Sequence, residues 1–155
     1  METLVAIAIL LLAIGGPLTI AAQSFFAARF SKDNLTAVYL AQEGIEMFRF
    51  RRDSNILNNQ DWLHGLDACL GENKCEMAGT NSTLTRPCTG ECTPLRISAN
   101  DFYAYASSYE VTKFTREINA QELSENEIVV TSIVKWANGS VEREVELKEN
   151  LFNWR

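Results

Sequence analysis

Leu4-Val-Ala-Ile-Ala-Ile-Leu-Leu-Leu-Ala-Ile-Gly-Gly-Pro-Leu-Thr-Ile-Ala-Ala22 is the stretch on which the reading of this chain turns. About nineteen residues of this character are enough, as helix, to cross a hydrocarbon core. The uncharged run is longer still, from Thr3 to Ala28, so Glu2 is the sole ionisable side chain ahead of Arg29. A cleaved secretory signal calls for a basic start, a shorter apolar core and a small-x-small cleavage site. Nothing basic precedes the run and Ile20-Ala21-Ala22 is a poor cleavage site, so a retained span is expected. Two features go beyond a plain anchor. A carboxylate at membrane depth costs about 2.5–3.5 kcal/mol, so Glu2 calls for a partner or a function unless it snorkels into the interface. Gly15-Gly16-Pro17 is the other, since Gly costs about 1 kcal/mol and Pro about 3 kcal/mol inside a helix. That makes a weak point or a kink, although membrane helices tolerate both residues.

Past Ala28 the character changes without a break signal. Ala37, Leu40, Ala41, Gly44, Ile45 and Phe48 recur at helical spacing and form one face, a stripe expected to pack on a core. Glu46 and Arg49 lie on the opposite side, three apart, where they can pair weakly. Ser31 and Asp33 are possible caps for a new start, but no Gly or Pro separates the two halves. The expectation is one helix from about residue 2 to about residue 53, lipid-soluble first and two-faced later.

Glu2-Thr3-Leu4-Val5-Ala6-Ile7-Ala8-Ile9-Leu10, followed by the apolar run and Gly-Gly-Pro, resembles the N-terminal segment of type IV pilins and type II secretion pseudopilins. Tyr39-Leu40-Ala41-Gln42-Glu43-Gly44-Ile45-Glu46 is similar to the distal half of the first helix in minor pilin-like proteins. In that family the mature chain opens with a methylated residue, usually Phe, with a Glu close behind it that Glu2 matches. By that match the chain is expected to begin a few residues late, after a basic leader ending in Gly that a prepilin peptidase removes. The resemblance implies a bitopic protein of the cytoplasmic (inner) membrane with its body outside. An inner-membrane assembly platform would extract it into a filament at the cell surface or in the periplasm. The partners implied are copies of itself or related pilin-like subunits, with membrane lipid before assembly. It also implies that Glu2 meets a protonated N-terminal amine of a neighbour, and that Gly15, Gly16 and Pro17 let part of the helix extend.

The rest of the composition narrows the alternatives. A length of 155 residues suits one domain, and 46% hydrophobic with 22% charged residues excludes a disordered chain. A net charge of -6 argues against a nucleic-acid footprint; Lys74, Arg86 and Arg96 are available for DNA capture but acidic neighbours outnumber them. The single His, His64, sits between Leu63 and Gly65 and reads as a surface or packing residue. With no nucleophile–base pair, phosphate loop or metal cluster, neither an enzyme, a cofactor nor a bound metal is expected.

From Ser54 to about Pro94 the pattern is aperiodic and rich in turn residues, including Asn58-Asn59 and Gly71-Glu72-Asn73, with Trp62, Leu63 and Leu66 expected to tuck over the core. All the cysteines fall here: Cys69, Cys75, Cys88 and Cys92, with five, twelve and three residues between them. That is not zinc-knuckle spacing, so disulfides are expected and with them an oxidising compartment. Sequence leaves the connectivity open; short intervening turns favour Cys69–Cys75 and Cys88–Cys92. Asn34-Leu-Thr, Asn81-Ser-Thr and Asn138-Gly-Ser match the glycosylation acceptor pattern, which is frequent by chance.

The last third reads as strands. Thr93–Asn100, Phe102–Ala106 and Lys113–Asn119 are short candidates, and Glu127–Ala137, Asn138-Gly139 and Ser140–Lys148 form a hairpin in which both turn residues are expected at positive φ. Val141, Val145 and Leu147 share one face with Arg143, while Glu142, Glu144 and Glu146 form a solvated face. Leu151 to Trp154 after such a hairpin again resembles minor pseudopilins. The fold expected is α+β: a long helix packed on a small antiparallel sheet. Its segments are the span at 1–28, the amphipathic half-helix at 29–53, the Cys-containing loop region at 54–94 and the sheet region at 95–155, with 29–155 forming one globular domain. The function expected is a structural subunit of a type IV pilus-like or secretion pseudopilus filament. The alternative is a single-span, membrane-anchored extracytoplasmic binding module that forms no filament.

Overall fold

A computed structural model describes residues 2–78 and 84–153. Its elements are α1 (Glu2–Leu57), a 3-10 turn (Asp67–Cys69), and strands β1 (Cys75–Ala78), β2 (Leu84–Pro87), β3 (Pro94–Ile97), β4 (Tyr103–Ala104), β5 (Glu110–Ser124), β6 (Glu127–Asn138) and β7 (Val141–Phe152). The class is α+β, with one long helix and one antiparallel sheet. The chain divides into two compact units, up to Thr36 and from Ala37 onward. Met1, the Asn81 acceptor triplet and Trp154 lie outside the described residues.

In the second unit α1 buries Ala37, Leu40, Ala41, Gly44, Ile45 and Phe48, the whole expected stripe, and adds Arg52 and Asn55. It runs to Leu57, a turn beyond the expected end. There Asn59 takes a left-handed conformation (φ 55°), the Gln60 amide donates to the Asn55 carbonyl and the Asn59 amide to the Ile56 carbonyl. This satisfies the last helical carbonyls without a glycine. The Asn55 side chain donates to the carbonyls of Trp62 and His64, drawing the following loop back over the core, where Trp62 and Leu66 are buried.

β5 is the central strand. Along one edge it pairs with β3 near its start and with β1 through Cys75↔Ile118; along the other it pairs with β6, which pairs with β7. Helix numbering rises as β6 numbering falls. Ala37, Leu40 and Ala41 pack with Leu95, Phe114, Val134 and Trp136, whereas Ile45 and Phe48 pack with Trp62, Leu66, Ile118, Ile128 and Val130.

Two local expectations need correction. The stretch read as aperiodic contains a hairpin, β1–β2, in which Cys75 pairs with Pro87 and Met77 with Thr85. Its strands are too short, and its buried acid Glu76 too polar, for an alternation signal. The β6–β7 turn is also displaced: Asn138 pairs with Val141, so the turn residues are Gly139 and Ser140, and Gly139 alone is at positive φ (65°). Side-chain pairing decides this. The observed register sets Val134 opposite Val145 and Ile128 opposite Leu151. A turn at Asn138-Gly139 would slide the strands by two residues, bringing Arg143 against Val134 and Glu149 against Ile128 at core positions.

Candidate functional site

The first unit is helix throughout its described length and carries the candidate assembly residues. Its run of leucines and isoleucines projects outward on every side, and this helix is long and apolar enough to span a membrane. Helical periodicity without a polar face is what a lipid or protein surround on all sides requires. Glu2 sits in the first turn, where a carboxylate interacts favourably with the helix dipole, and it has no ion-pair partner among the described residues. Gly15, Gly16 and Pro17 all lie within α1, and space is open around both glycines. Pro17 has no amide hydrogen, so the Ala13 carbonyl lacks its usual helical donor. Nearby, the Thr19 hydroxyl donates to the Gly16 carbonyl at 2.7 Å.

In the second unit the cysteines form the pairs Cys69–Cys75 and Cys88–Cys92. The first lies wholly in the core beside Ile118 and Ala120, fixing the 3-10 turn to the start of β1. The second closes a small loop whose next residue, Thr93, donates its amide hydrogen to the buried Glu76 carboxylate, which also pairs with Arg86. Burial alone would raise the Glu76 carboxyl, but the Thr93 amide and the Arg86 guanidinium prevail and hold it below the usual carboxylate range. Glu76, Cys88 and Cys92 cluster closely, yet both sulfurs are spent in a disulfide and offer no thiolate to a metal.

Two further buried charges lie on opposite faces of β5. On the helix side, Arg116 donates to the Leu40 carbonyl at 3.0 Å, Glu43 Oε2 at 2.7 Å and the Met77 carbonyl at 3.1 Å, joining α1, β5 and β1. On the other side, Glu117 accepts from Lys74 Nζ at 2.8 Å and Lys135 Nζ at 3.1 Å. Burial pushes the Glu117 carboxyl upward, but the two ammonium groups outweigh it and the net direction is down. Tyr105, whose hydroxyl faces the Arg116 carbonyl, is pushed up to about 12 by burial. A groove of about 530 Å³ on the Glu117 face is lined by Lys113, Thr115, Lys135, Glu142 and Glu144 among others, mixing both signs of charge.

These buried ions were not singled out in the sequence. The signal was there for Arg116, which occupies the apolar phase of the Lys113–Asn119 alternation between Phe114 and Ile118. Of the basic residues weighed for DNA capture, Lys74 and Arg86 are engaged by buried carboxylates, and Arg96 donates to the Tyr109 carbonyl. His64 is exposed. The chain matches no family model, no curated protein and no solved structure. What the fold defines is a disulfide-pinned α+β body and an apolar helical segment carried by the same long helix.

Proposed function

We propose that this chain is a structural, non-enzymatic subunit that waits in a membrane as a single-span protein, its body on the oxidising side. From there it assembles with copies of itself or related subunits into a pilus-like or secretion-pseudopilus filament. The observation that carries the reading is the uncharged run Thr3–Ala28, which belongs to the same unbroken helix that organises the body. A span needs only lipid, but this one begins at Glu2, whose burial among packed helices is offset if it meets the amine of a neighbouring copy. Gly15, Gly16 and Pro17 give the segment a place to lengthen when lipid is exchanged for protein neighbours. A prepilin peptidase and an inner-membrane assembly platform are the partners this route requires.

The test compares the full chain with Glu2→Gln. Both should enter the membrane equally, while electron microscopy after detergent removal should show filaments for the parent and a sharp loss for the variant. Monomers in both cases would favour the anchored binding module instead.

A further inference from the structure

We propose that the open edge of β7, from Glu142 to Asn150, pairs antiparallel with the same edge of a second copy of this chain, about a dyad at Glu146. The inference uses the second unit alone and stands apart from the filament reading.

Among the described residues β7 pairs only with β6, so its other side is a sheet edge. Opposed residues of an antiparallel pair alternate between those that exchange hydrogen bonds and those whose amides and carbonyls point the other way. Asn138 and Val141 close the two-residue turn and so exchange bonds. Counting from there, Glu142, Glu144, Glu146, Lys148 and Asn150 turn their amides and carbonyls away from β6, and all of them are exposed. Phe152 continues the series, and its carbonyl accepts from Arg52 at 3.0 Å, which ends the open stretch.

The midpoint of that stretch is Glu146. Two copies overlap fully only when Glu146 faces Glu146 of the second copy, Glu144 faces Lys148 and Glu142 faces Asn150. The side chains select the same register. On the face that packs against the helix it sets Arg143 against Glu149, Val145 against Leu147 and Val141 against Leu151. A slip of two residues in either direction sets Arg143 against a leucine instead, Leu147 or Leu151. Val145 and Leu147 are half-buried against the body's core, so their pairing continues that core across the dyad. Charges on an edge usually deter pairing. Here Arg143, Glu144, Lys148 and Glu149 each meet the opposite sign, and Glu146 alone meets its like, with Lys148 of its own strand 2.5 Å away. The dyad reverses the direction of the helix on the sheet from one copy to the other. Subunits of one head-to-tail filament share a direction, so the β7 pair is a contact between filaments and not the one that builds them.

The experiment treats the full chain in detergent, as an equal mixture of unlabelled and isotope-labelled copies, with a zero-length carbodiimide and sequences the linked peptides by mass spectrometry. Along one strand Glu144 and Lys148 stand about 13 Å apart, beyond such a linker. Glu146 and Lys148 are within its reach and serve as the internal control. A Glu144–Lys148 amide joining labelled to unlabelled copies is expected, with a yield that rises with protein concentration. Glu146→Gln removes the like charges at the dyad and should raise that yield at least twofold. Glu146→Pro removes the same charges together with an outward amide, and should cut the yield at least fivefold. An edge strand tolerates such a proline, so the thermal midpoint should move by a few degrees at most. Should it fall further, the Glu146→Gln gain decides alone. The control link without any Glu144–Lys148 link between copies overturns the proposal, as does an equal yield from the two variants. Filaments formed without that link overturn the β7 pair and leave the filament reading intact.

Discussion

Gly44 of the helix and Ser132 of β6 approach so closely that a Cβ on Gly44 would stand 2.5 Å from the Ser132 Oγ and 3.0 Å from the Arg116 Cδ. The helix thus meets the sheet closely at Gly44, and one turn back Arg116 donates to the Leu40 carbonyl. Gly44→Ala should destabilise the folded body by about 1–3 kcal/mol, since an added methyl has nowhere to go in a packed core. Denaturant unfolding of the detergent-solubilised chain measures it. Gly15→Ala, with open space around it, should leave that transition unmoved.

Arg116 is more deeply buried than its acidic partner, Glu43, which is 40% exposed. Replacing Arg116 with Leu takes the guanidinium donor from the buried Met77 carbonyl, at about 1–3 kcal/mol for the group stranded, while the Leu40 carbonyl keeps its bond within the helix. Glu43→Gln should cost less than 1 kcal/mol, because its carboxylate retains water. Equal effects of the two variants on the unfolding free energy would show that the ion pair, and not the carbonyl contacts, is what Arg116 supplies.

Glu117 and Glu76 have carboxyls held below the ordinary range in the folded state. Their contribution is therefore complete above the unfolded carboxylate pKa and is lost as pH falls through the lower folded value. Thermal midpoints should hold steady from neutral pH down to the ordinary carboxylate range and then decline. In Glu117→Gln the acid limb should be shallower, and the neutral-pH midpoint lower, with Lys74 and Lys135 left unpaired.

The two disulfides should reduce in order. Cys69 and Cys75 are fully shielded, whereas Cys88 is partly exposed. Mild reductant followed by alkylation and mass spectrometry should label Cys88 and Cys92 first, with Cys69 and Cys75 labelled only as the body unfolds. Removing Cys69–Cys75 should cost about 2–4 kcal/mol.

Much of the architecture was legible because it is periodic. The stripe from Ala37 to Phe48 repeats at helical spacing, and the long β6–β7 alternation gives its two faces away. The β1–β2 hairpin was hidden because four-residue strands such as Cys75–Ala78 hold too few alternations to rise above loop composition. The turn register is not legible locally, because Asn138-Gly139 is a strong local signal, while the cross-strand pairs Val134↔Val145 and Ile128↔Leu151 that override it are set by the whole sheet. Arg116 and Glu117 escaped for a related reason. A buried ion is told from a surface one by what folds over it, and those covering groups lie far away in sequence.

The central claim is association through the apolar helix, and intermolecular photo-crosslinking from Leu11 in the full chain tests it most directly. After detergent removal, a benzoylphenylalanine at Leu11 should yield a ladder of covalent dimers and higher multimers, weakened in Glu2→Gln. Adducts to lipid or detergent alone, on a chain that stays monomeric at every concentration, would contradict it.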